Sequence, residues 1–289
     1  MEELNIKSEA KINLSLDILG KLENGYHEIS TIMHTVELSD NIFIKKVYKK
    51  DYLKLITNIG WLPVDEKNLI FKAAKYVKEK FAIEEGIFLN LTKVIPVSAG
   101  LGGGSANCAA TLKGIKKLFD LPLSLDELAD LGAKFGADVP FCVHTGAALA
   151  TGVGEIIKPL PKMPTSHIVI VKPPVIVSTE DIFGAYNDDK VKHRPDTEKL
   201  IYSLEKGDLI GICDSMENVL ETVTAKKHPV INKLKTCLKE QGALGAMMSG
   251  SGPSVFGIFE DYKTAESALN AIKDKHPTYK EIFLTKSTS

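Results

Sequence analysis

The sequence predicts a two-domain α+β protein, an α/β half followed by a split βαβ sandwich. Three observations lead there. A chain of 289 residues is long enough to bury a full core and to divide into two domains. In the first half the apolar residues change repeatedly from alternation, the mark of a half-buried strand, to the three-and-four spacing of an amphipathic helix. Pro159, Pro161 and Pro164 then interrupt both patterns, and the segments beyond them end in the order helix, strand, strand, helix, strand after an initial buried strand.

Leu4 to Leu19 alternates well enough for one long strand or a bent strand pair, and Thr31 to Val36, Ile42 to Val47 and Gly86 to Leu91 read as further strands. Leu69, Ile70, Ala73, Ala74, Val77 and Phe81 form one helical stripe, and Leu112, Ile115, Leu118 and Phe119 another. Ser124 and Glu127 make a capping box that opens a third helix; Gly136 is read as its end, which sets Asp138 just beyond it. After the prolines, His167 to Lys172 reads as a buried strand. Helical stretches follow, then a helix from Pro229 to Gln241, strands at Gly245 to Ser249 and Val255 to Phe259, a helix from Lys263 to Lys273 and a strand at Ile282 to Thr285. The expected domains are 1–162 and 163–289.

Lysine plus arginine number 36 against 37 aspartates and glutamates, so no global field draws the chain to nucleic acid or an anionic membrane. Lys45, Lys46, Lys49 and Lys50 read as solvated strand ends. Cys108, Cys142, Cys213 and Cys237 lie far apart without metal-ligand spacing, which suits reduced thiols. The N-terminus lacks a signal arrangement and no apolar run reaches the ~20 residues a bilayer requires. A cytoplasmic location is the expectation. Monomer and homodimer stay equally open.

The segment PVSAGLGGGSANCAATL, Pro96 to Leu112, passes from strand-like residues through glycines into a helix. Gly100, Gly102, Gly103 and Gly104 lack Cβ atoms, so their amides can turn inward and approach an anion closely. The helix that follows aims its N-terminal amides at the same spot, and loop and helix end together suit a triphosphate without any basic side chain. A glycine turn shaped only by sterics is the alternative. A Walker A element is excluded, because Ser105 and Ala106 stand where it needs a lysine and a hydroxyl. A Rossmann unit is a poor match, since Asp120 ends a helix where a ribose-binding acid would be sought.

Three further segments carry polar residues in unusual settings. In AKINLSLDILGKLENGYHEI, Lys11 and Asn13 point the same way along a strand and can share a ligand. The NGYH turn offers Tyr26 and His27, able to grip a flat heterocycle or merely to turn the chain. In GADVPFCVHTGAALATGVGE, Asp138 is an acid in an otherwise apolar run, placed there either as a base or as a helix cap. In GALGAMMSGSGPSVFGIF, the turn Gly250, Ser251, Gly252 is either a ligand-facing element or a plain hairpin.

An AxxNL-like strand, a PxxxGLGxSxA loop and a GSGP turn, in this order, resemble the GHMP kinase superfamily. Within it, the GYH turn, GADVPF and ATGVGE resemble the family that phosphorylates 4-diphosphocytidyl-2-C-methyl-D-erythritol, over Lys7 to Phe259. The resemblance implies a ribosomal protein S5 domain 2-like N-terminal domain and a ferredoxin-like C-terminal domain. It implies ATP and Mg2+, and transfer of phosphate to a tertiary 2-hydroxyl in non-mevalonate isoprenoid precursor synthesis. Asp138 matches the catalytic aspartate that takes the hydroxyl proton, and Lys11 the lysine between it and the phosphates. Pro96, Gly100, Leu101, Gly102, Gly103, Gly104, Ser105 and Ala106 match the phosphate loop, with Gly104 in place of a serine and Ser105 as a candidate magnesium ligand. Asn13, Tyr26, His27, Thr179 and Phe183 match the residues around a cytidyl diphosphate sugar alcohol, the cytosine lying between Tyr26 and Phe183. In this family a proline usually follows the threonine, whereas Glu180 and Asp181 follow Thr179. The competing readings are a homoserine or mevalonate type of kinase, which the GYH turn disfavours, and a non-catalytic nucleotide-binding regulator, which retention of Lys11 and Asp138 disfavours.

Overall fold

Alternation and helical spacing become two compact units in a computed structural model that describes residues 1–288. The first unit consists of Met1–Ala10, Ser39–Val97 and Gly102–Thr145; the second of Lys11–Leu38, Ser98–Leu101 and the chain from Gly146 onward. Strands β1 (Glu3–Lys21) and β2 (His27–Val47) contribute one end to each.

The first unit further contains β3 (Leu53–Thr57), α1 (Leu69–Lys80), β4 (Gly86–Thr92), α2 (Gly103–Leu118), α3 (Leu125–Ala133) and α4 (Val139–His144). Its strands lie in the order β3-β4-β2-β1, with β4 antiparallel to β2 and parallel to β3. Asn68 caps α1 through its side chain, and Ser124 and Glu127 form the expected capping box on α3, each satisfying amides that a helix start leaves unpaired. Helix α2 lies so close to β2 that a Cβ on Gly114 would sit 2.4 Å from Ile44 Cδ1.

In the second unit follow β5 (Ala147–Thr151), β6 (Ile156–Leu160), β7 (His167–Lys172), α5 (Thr179–Gly184), α6 (Thr197–Lys206), α7 (Leu209–Asp214), β8 (Glu217–Asn218), α8 (Glu221–Lys227), α9 (Val230–Glu240), β9 (Gly245–Met248), β10 (Val255–Phe259), α10 (Tyr262–Lys275) and β11 (Glu281–Lys286). The sheet β11-β7-β10-β9 is antiparallel throughout. Numbered within that sheet, its order is fourth, first, third, second, which is the expected ferredoxin-like arrangement. Leu234 and Leu238 of α9 and Ala265, Ala268 and Ile272 of α10 are buried in one core with Val169, Val171 and Phe259, each large side chain stabilising by about 1.5–3 kcal/mol. Elsewhere in the unit β5 pairs with β2 and β6, and β8 runs parallel to β1.

Several sequence expectations are corrected. Thr31 to Val36, buried throughout, and Ile42 to Val47 belong to one strand, because the alternation that starts at Glu37 keeps Leu38 and Asp40 buried and runs on into Ile42 and Ile44. Gly136 does not close α3: the helix ends at Ala133 with Lys134 as its cap. β6 runs through Pro159, which is tolerated because among the described residues β6 pairs only with β5 and so has an open edge. The short β3, α4 and β5 were too brief for a periodic signal.

His34 on β2 is fully buried, with Nδ1 2.7 Å from the Thr35 carbonyl and Nε2 accepting the Met163 N–H at 3.2 Å. Both contacts select the neutral ring, and burial pushes its pKa down from 6.5 to about 4. Above pH 6.5 the ring is neutral folded or unfolded, so its contribution is fully present. As pH falls from 6.5 towards 4 the unfolded chain takes up a proton that the folded chain refuses, and up to about 3 kcal/mol is lost. Urea unfolding at pH 7 and pH 4.5 should show this loss, and His34→Gln should reduce it; an equal pH dependence in both proteins would assign the acid sensitivity elsewhere.

Candidate active site

The first unit carries the second half of the glycine loop. Gly102 precedes α2 in the left-handed region, with φ of 65°, and no side chain caps the helix. Gly103 is buried beneath the first turn, where a Cβ would lie 3.0 Å from Lys93 Nζ and 3.0 Å from Ile95 Cγ2. Gly104 is exposed, and its Cβ would meet nothing nearer than Leu69 at 3.8 Å. A first turn built this way presents backbone donors and positive dipole rather than side chains. Pro96 and Ala106 are buried on either side of the loop, and Ser105 is half-buried.

Beside that first turn runs the acidic turn. A Cβ on Gly136 would be 3.8 Å from Ser105 Oγ, so Asp138, two residues on, belongs to the turn that abuts the start of α2. Asp138 occupies the N-cap position of α4, yet its carboxylate makes no capping bond. Helices α2 and α3 both hold α4. Gly132 of α3 approaches Val139 so closely that a Cβ would stand 2.6 Å from Val139 Cγ1. Lys113 of α2 donates to the Cys142 and Val143 carbonyls, each at 3.2 Å, a cation at a helix C-terminus. Burial pulls the Lys113 pKa down from its ordinary value.

The second unit carries the first half of the loop. Lys11, 4% exposed, donates its backbone N–H to Leu101 O at 3.0 Å and its Nζ to Asn13 Oδ1 at 2.6 Å. Asn13 is buried and donates Nδ2 to Thr31 Oγ1 at 2.8 Å. Ser249 Oγ donates to Gly100 O at 2.8 Å, and the Ser254 N–H reaches Ala99 O at 3.3 Å. The GSG turn thus does more than reverse the chain between β9 and β10. Gly250 and Gly252 adopt φ of 58° and 89°, Asn218 Nδ2 donates to Met248 O and Gly250 O at 2.9 Å each, and Thr179 and Ser251 share a hydroxyl contact of 2.8 Å. Lys11, Asn13, Gly100, Leu101, Thr179 and the glycine turn are therefore stitched into one array.

His27 lies among aromatic rings in the same unit. Its ring centroid is 5.6 Å from Phe183, tilted by 40°, and 6.2 Å from Tyr186, edge-on. Burial, then the Lys21 charge, lowers the His27 pKa. Tyr186 donates to Asp188 at 2.9 Å, and burial followed by that bond raises its pKa to about 12. Arg194 pairs with Asp188 and with buried Asp17 and donates to Ile18 O, which ties the segment after α5 to β1. Tyr26 stands apart: the residue is 66% exposed at the tip of a turn in which Gly25 has φ of 87°.

Residues 68–146 match the GHMP kinases N terminal domain and residues 200–278 the GHMP kinases C terminal domain. A 4-diphosphocytidyl-2-C-methyl-D-erythritol kinase of Geobacillus kaustophilus is 46% identical over 270 residues, 93% of each chain. One of Lachnoclostridium phytofermentans is 44% identical over 286 residues, 99% of this chain and 98% of the relative. The chain belongs to this family of GHMP kinases. A crystal structure of a 4-(cytidine 5'-diphospho)-2C-methyl-D-erythritol kinase matches with a TM-score of 0.84 at 27% identity, covering 99% of this chain and 100% of the other. A homoserine kinase from Cytophaga hutchinsonii matches with a TM-score of 0.79 at 23% identity, 100% and 95% covered, and shares the fold.

For a GHMP kinase the motif glycines and Asp138 were legible, whereas the residues that hold them were not. Ser249 lies inside the SGSGP string, where serine next to glycine is ordinary turn composition and signals no role. Asn218, Thr31, Asp40, Lys93, Tyr186 and Arg194 belong to no motif. Some of their partners lie far away in sequence, up to 177 positions for Arg194 and Asp17, and only the fold reveals those.

Proposed function

We propose that this GHMP kinase transfers the terminal phosphoryl of ATP to the 2-hydroxyl of 4-diphosphocytidyl-2-C-methyl-D-erythritol, giving the 2-phosphate and ADP. The observation that carries the chemistry is the abutment of the Asp138 turn on the first turn of α2. Phosphoryl transfer has a loose transition state, so alignment and charge neutralisation do most of the work. Amides of Gly102 to Ser105 bind the phosphate oxygens. Asp138 accepts the proton of the attacking hydroxyl as the bond to phosphorus forms and that to the ADP oxygen breaks. Resemblance to the family gives Lys11 the part of neutralising charge on the transferred group.

Magnesium commonly takes only one or two protein ligands and completes its shell with phosphate oxygens and water. A lone hydroxyl beside the helix start suits that habit, and among the described residues no cluster of three or more His, Cys, Asp or Glu forms a dedicated cage. Ser105 would hold the ion, which would shield the phosphate charge. Among the described residues no helix is long and apolar enough to cross a membrane, and the proposed setting is cytoplasmic.

Resemblance to the named relatives and the tilted aromatic pair of His27 and Phe183 together support a cytidyl acceptor over homoserine or mevalonate. Incubation with ATP, Mg2+ and a panel of these alcohols, read by phosphorus NMR, should give a new phosphomonoester only with the cytidyl compound. Phosphorylation of homoserine instead would replace the assignment. Tyr26→Ala should weaken binding of the cytidyl compound by about 1–3 kcal/mol with ATP affinity unchanged, measured by calorimetry; unchanged acceptor affinity would leave Tyr26 only a turn residue.

A further inference from the structure

Asp40, on β2 in the first unit, is 1% exposed and accepts hydrogen bonds from four donors. Oδ1 takes the backbone N–H groups of Val94 at 2.6 Å and Ile95 at 2.8 Å, and Oδ2 takes Lys93 Nζ at 2.7 Å and Asn107 Nδ2 at 2.8 Å. Val94 and Ile95 are the last residues before the glycine loop, and Asn107 stands on α2 just after it. One carboxylate therefore grips both shoulders of the loop. Lys93 Nζ also donates to Ile95 O, and the same ammonium lies against Gly103, where a Cβ would be 3.0 Å away. Asn107 Nδ2 reaches on to Ser8 Oγ at 2.8 Å.

We propose that Asp40 is the positioning residue of the phosphate loop, with Lys93 as its counter-ion and Asn107 as its hold on α2. A buried ion pair is seldom more stable than well-packed apolar residues in its place, so stability alone is a poor reason for this one. A carboxylate, in contrast, is an acceptor with about four lone-pair sites, and here four donors from both sides of the loop converge on it. Asparagine would have to turn an N–H towards donors. The distance between the two shoulders sets where the Gly102 to Ser105 amides stand, and a displacement of about 1 Å in such donors costs on the order of 10²-fold. A Cβ on Gly103 would press on this ammonium and on Ile95, each at 3.0 Å, whereas Gly104, one residue on, has space. The inference rests on the reading above only in taking the loop to bind ATP phosphates, and it is independent of the acceptor.

Asn107→Ala keeps the ion pair and releases one shoulder; Asp40→Asn disturbs both. Calorimetric titration with ATP and, separately, with adenosine, alongside thermal melting without ligand, tests the proposal. Each folded variant should lose about 10- to 100-fold in ATP affinity, the scale of one hydrogen bond to a charged group, with adenosine affinity unchanged, because only the phosphates touch the loop. Wild-type ATP affinity in a folded Asn107→Ala protein overturns the proposal, as does a parallel loss of adenosine, which would mean general loosening. If Asp40→Asn does not fold, the double variant Asp40→Asn, Lys93→Met removes the unpaired ammonium and is judged by the same ratio. Failure of the loop reading shows separately, as equal affinity of the wild-type protein for ATP and adenosine.

Discussion

Asp138→Asn is expected to lower kcat by about 10² to 10⁴ while the fold and ATP affinity persist. The size follows from the role. A base that takes the acceptor proton acts in the transition state, and each tenfold loss corresponds to about 1.4 kcal/mol, so the change removes about 3–5 kcal/mol of transition-state stabilisation. Persistence of the fold follows from the surroundings. Asparagine is nearly isosteric, and α4 loses no cap because the carboxylate makes no capping bond. The Lys113 clasp on Cys142 and Val143 and the Gly132–Val139 approach do not involve the substituted group. Turnover by coupled ADP release, with ATP binding by calorimetry and melting in parallel, separates the effects. Undiminished turnover would remove Asp138 from the base role, and a lost fold would show that the charge is structural.

The legibility of Asp138 and the illegibility of Asp40 have one physical cause. Asp138 interrupts a run of apolar residues, GADVPF, and a charge there is conspicuous in one dimension. Asp40 sits in ELSDN, which reads as a polar turn, yet it is the more deeply buried acid and β2 runs straight through it. What makes its burial tolerable is a set of donors between 53 and 67 positions away, and local sequence carries no trace of them. The same contrast divides the secondary structure. β1 and α1 announced themselves because unbroken period-two and three-and-four patterns run across many residues, whereas α4 has six residues, too few to display a period. The ferredoxin-like order was legible as an order of elements; the register of β7 between β10 and β11 was not. At the base end, His27 was legible in the NGYH turn and Phe183 only by resemblance, and Tyr186 and Arg194 emerged only where the chain beyond α5 meets β1.

Gly100→Ala should destabilise the protein by about 2–5 kcal/mol and weaken ATP binding as well, although it adds a single methyl group. Two costs add. Gly100 has φ of 75°, a region where an L-residue pays about 1–2 kcal/mol. Its Cβ would also fall 2.1 Å from Ser249 O and 3.1 Å from Gly252 O, and such crowding of packed backbone costs about 1–3 kcal/mol as the neighbours move. The moving parts are functional: the Ser249 hydroxyl bonds Gly100 O, and the Lys11 amide bonds the next carbonyl, that of Leu101. Gly104→Ala is the matched control, since its Cβ finds ordinary contact with Leu69 at 3.8 Å and alanine is the better helix former by up to about 1 kcal/mol. Urea midpoints should therefore move in opposite directions for two glycines four residues apart in one motif. A Gly100→Ala protein as stable as the Gly104→Ala protein would mean that the loop yields freely to the GSG turn, and the argument that β9, β10 and the glycine loop hold each other in one geometry would fail with it.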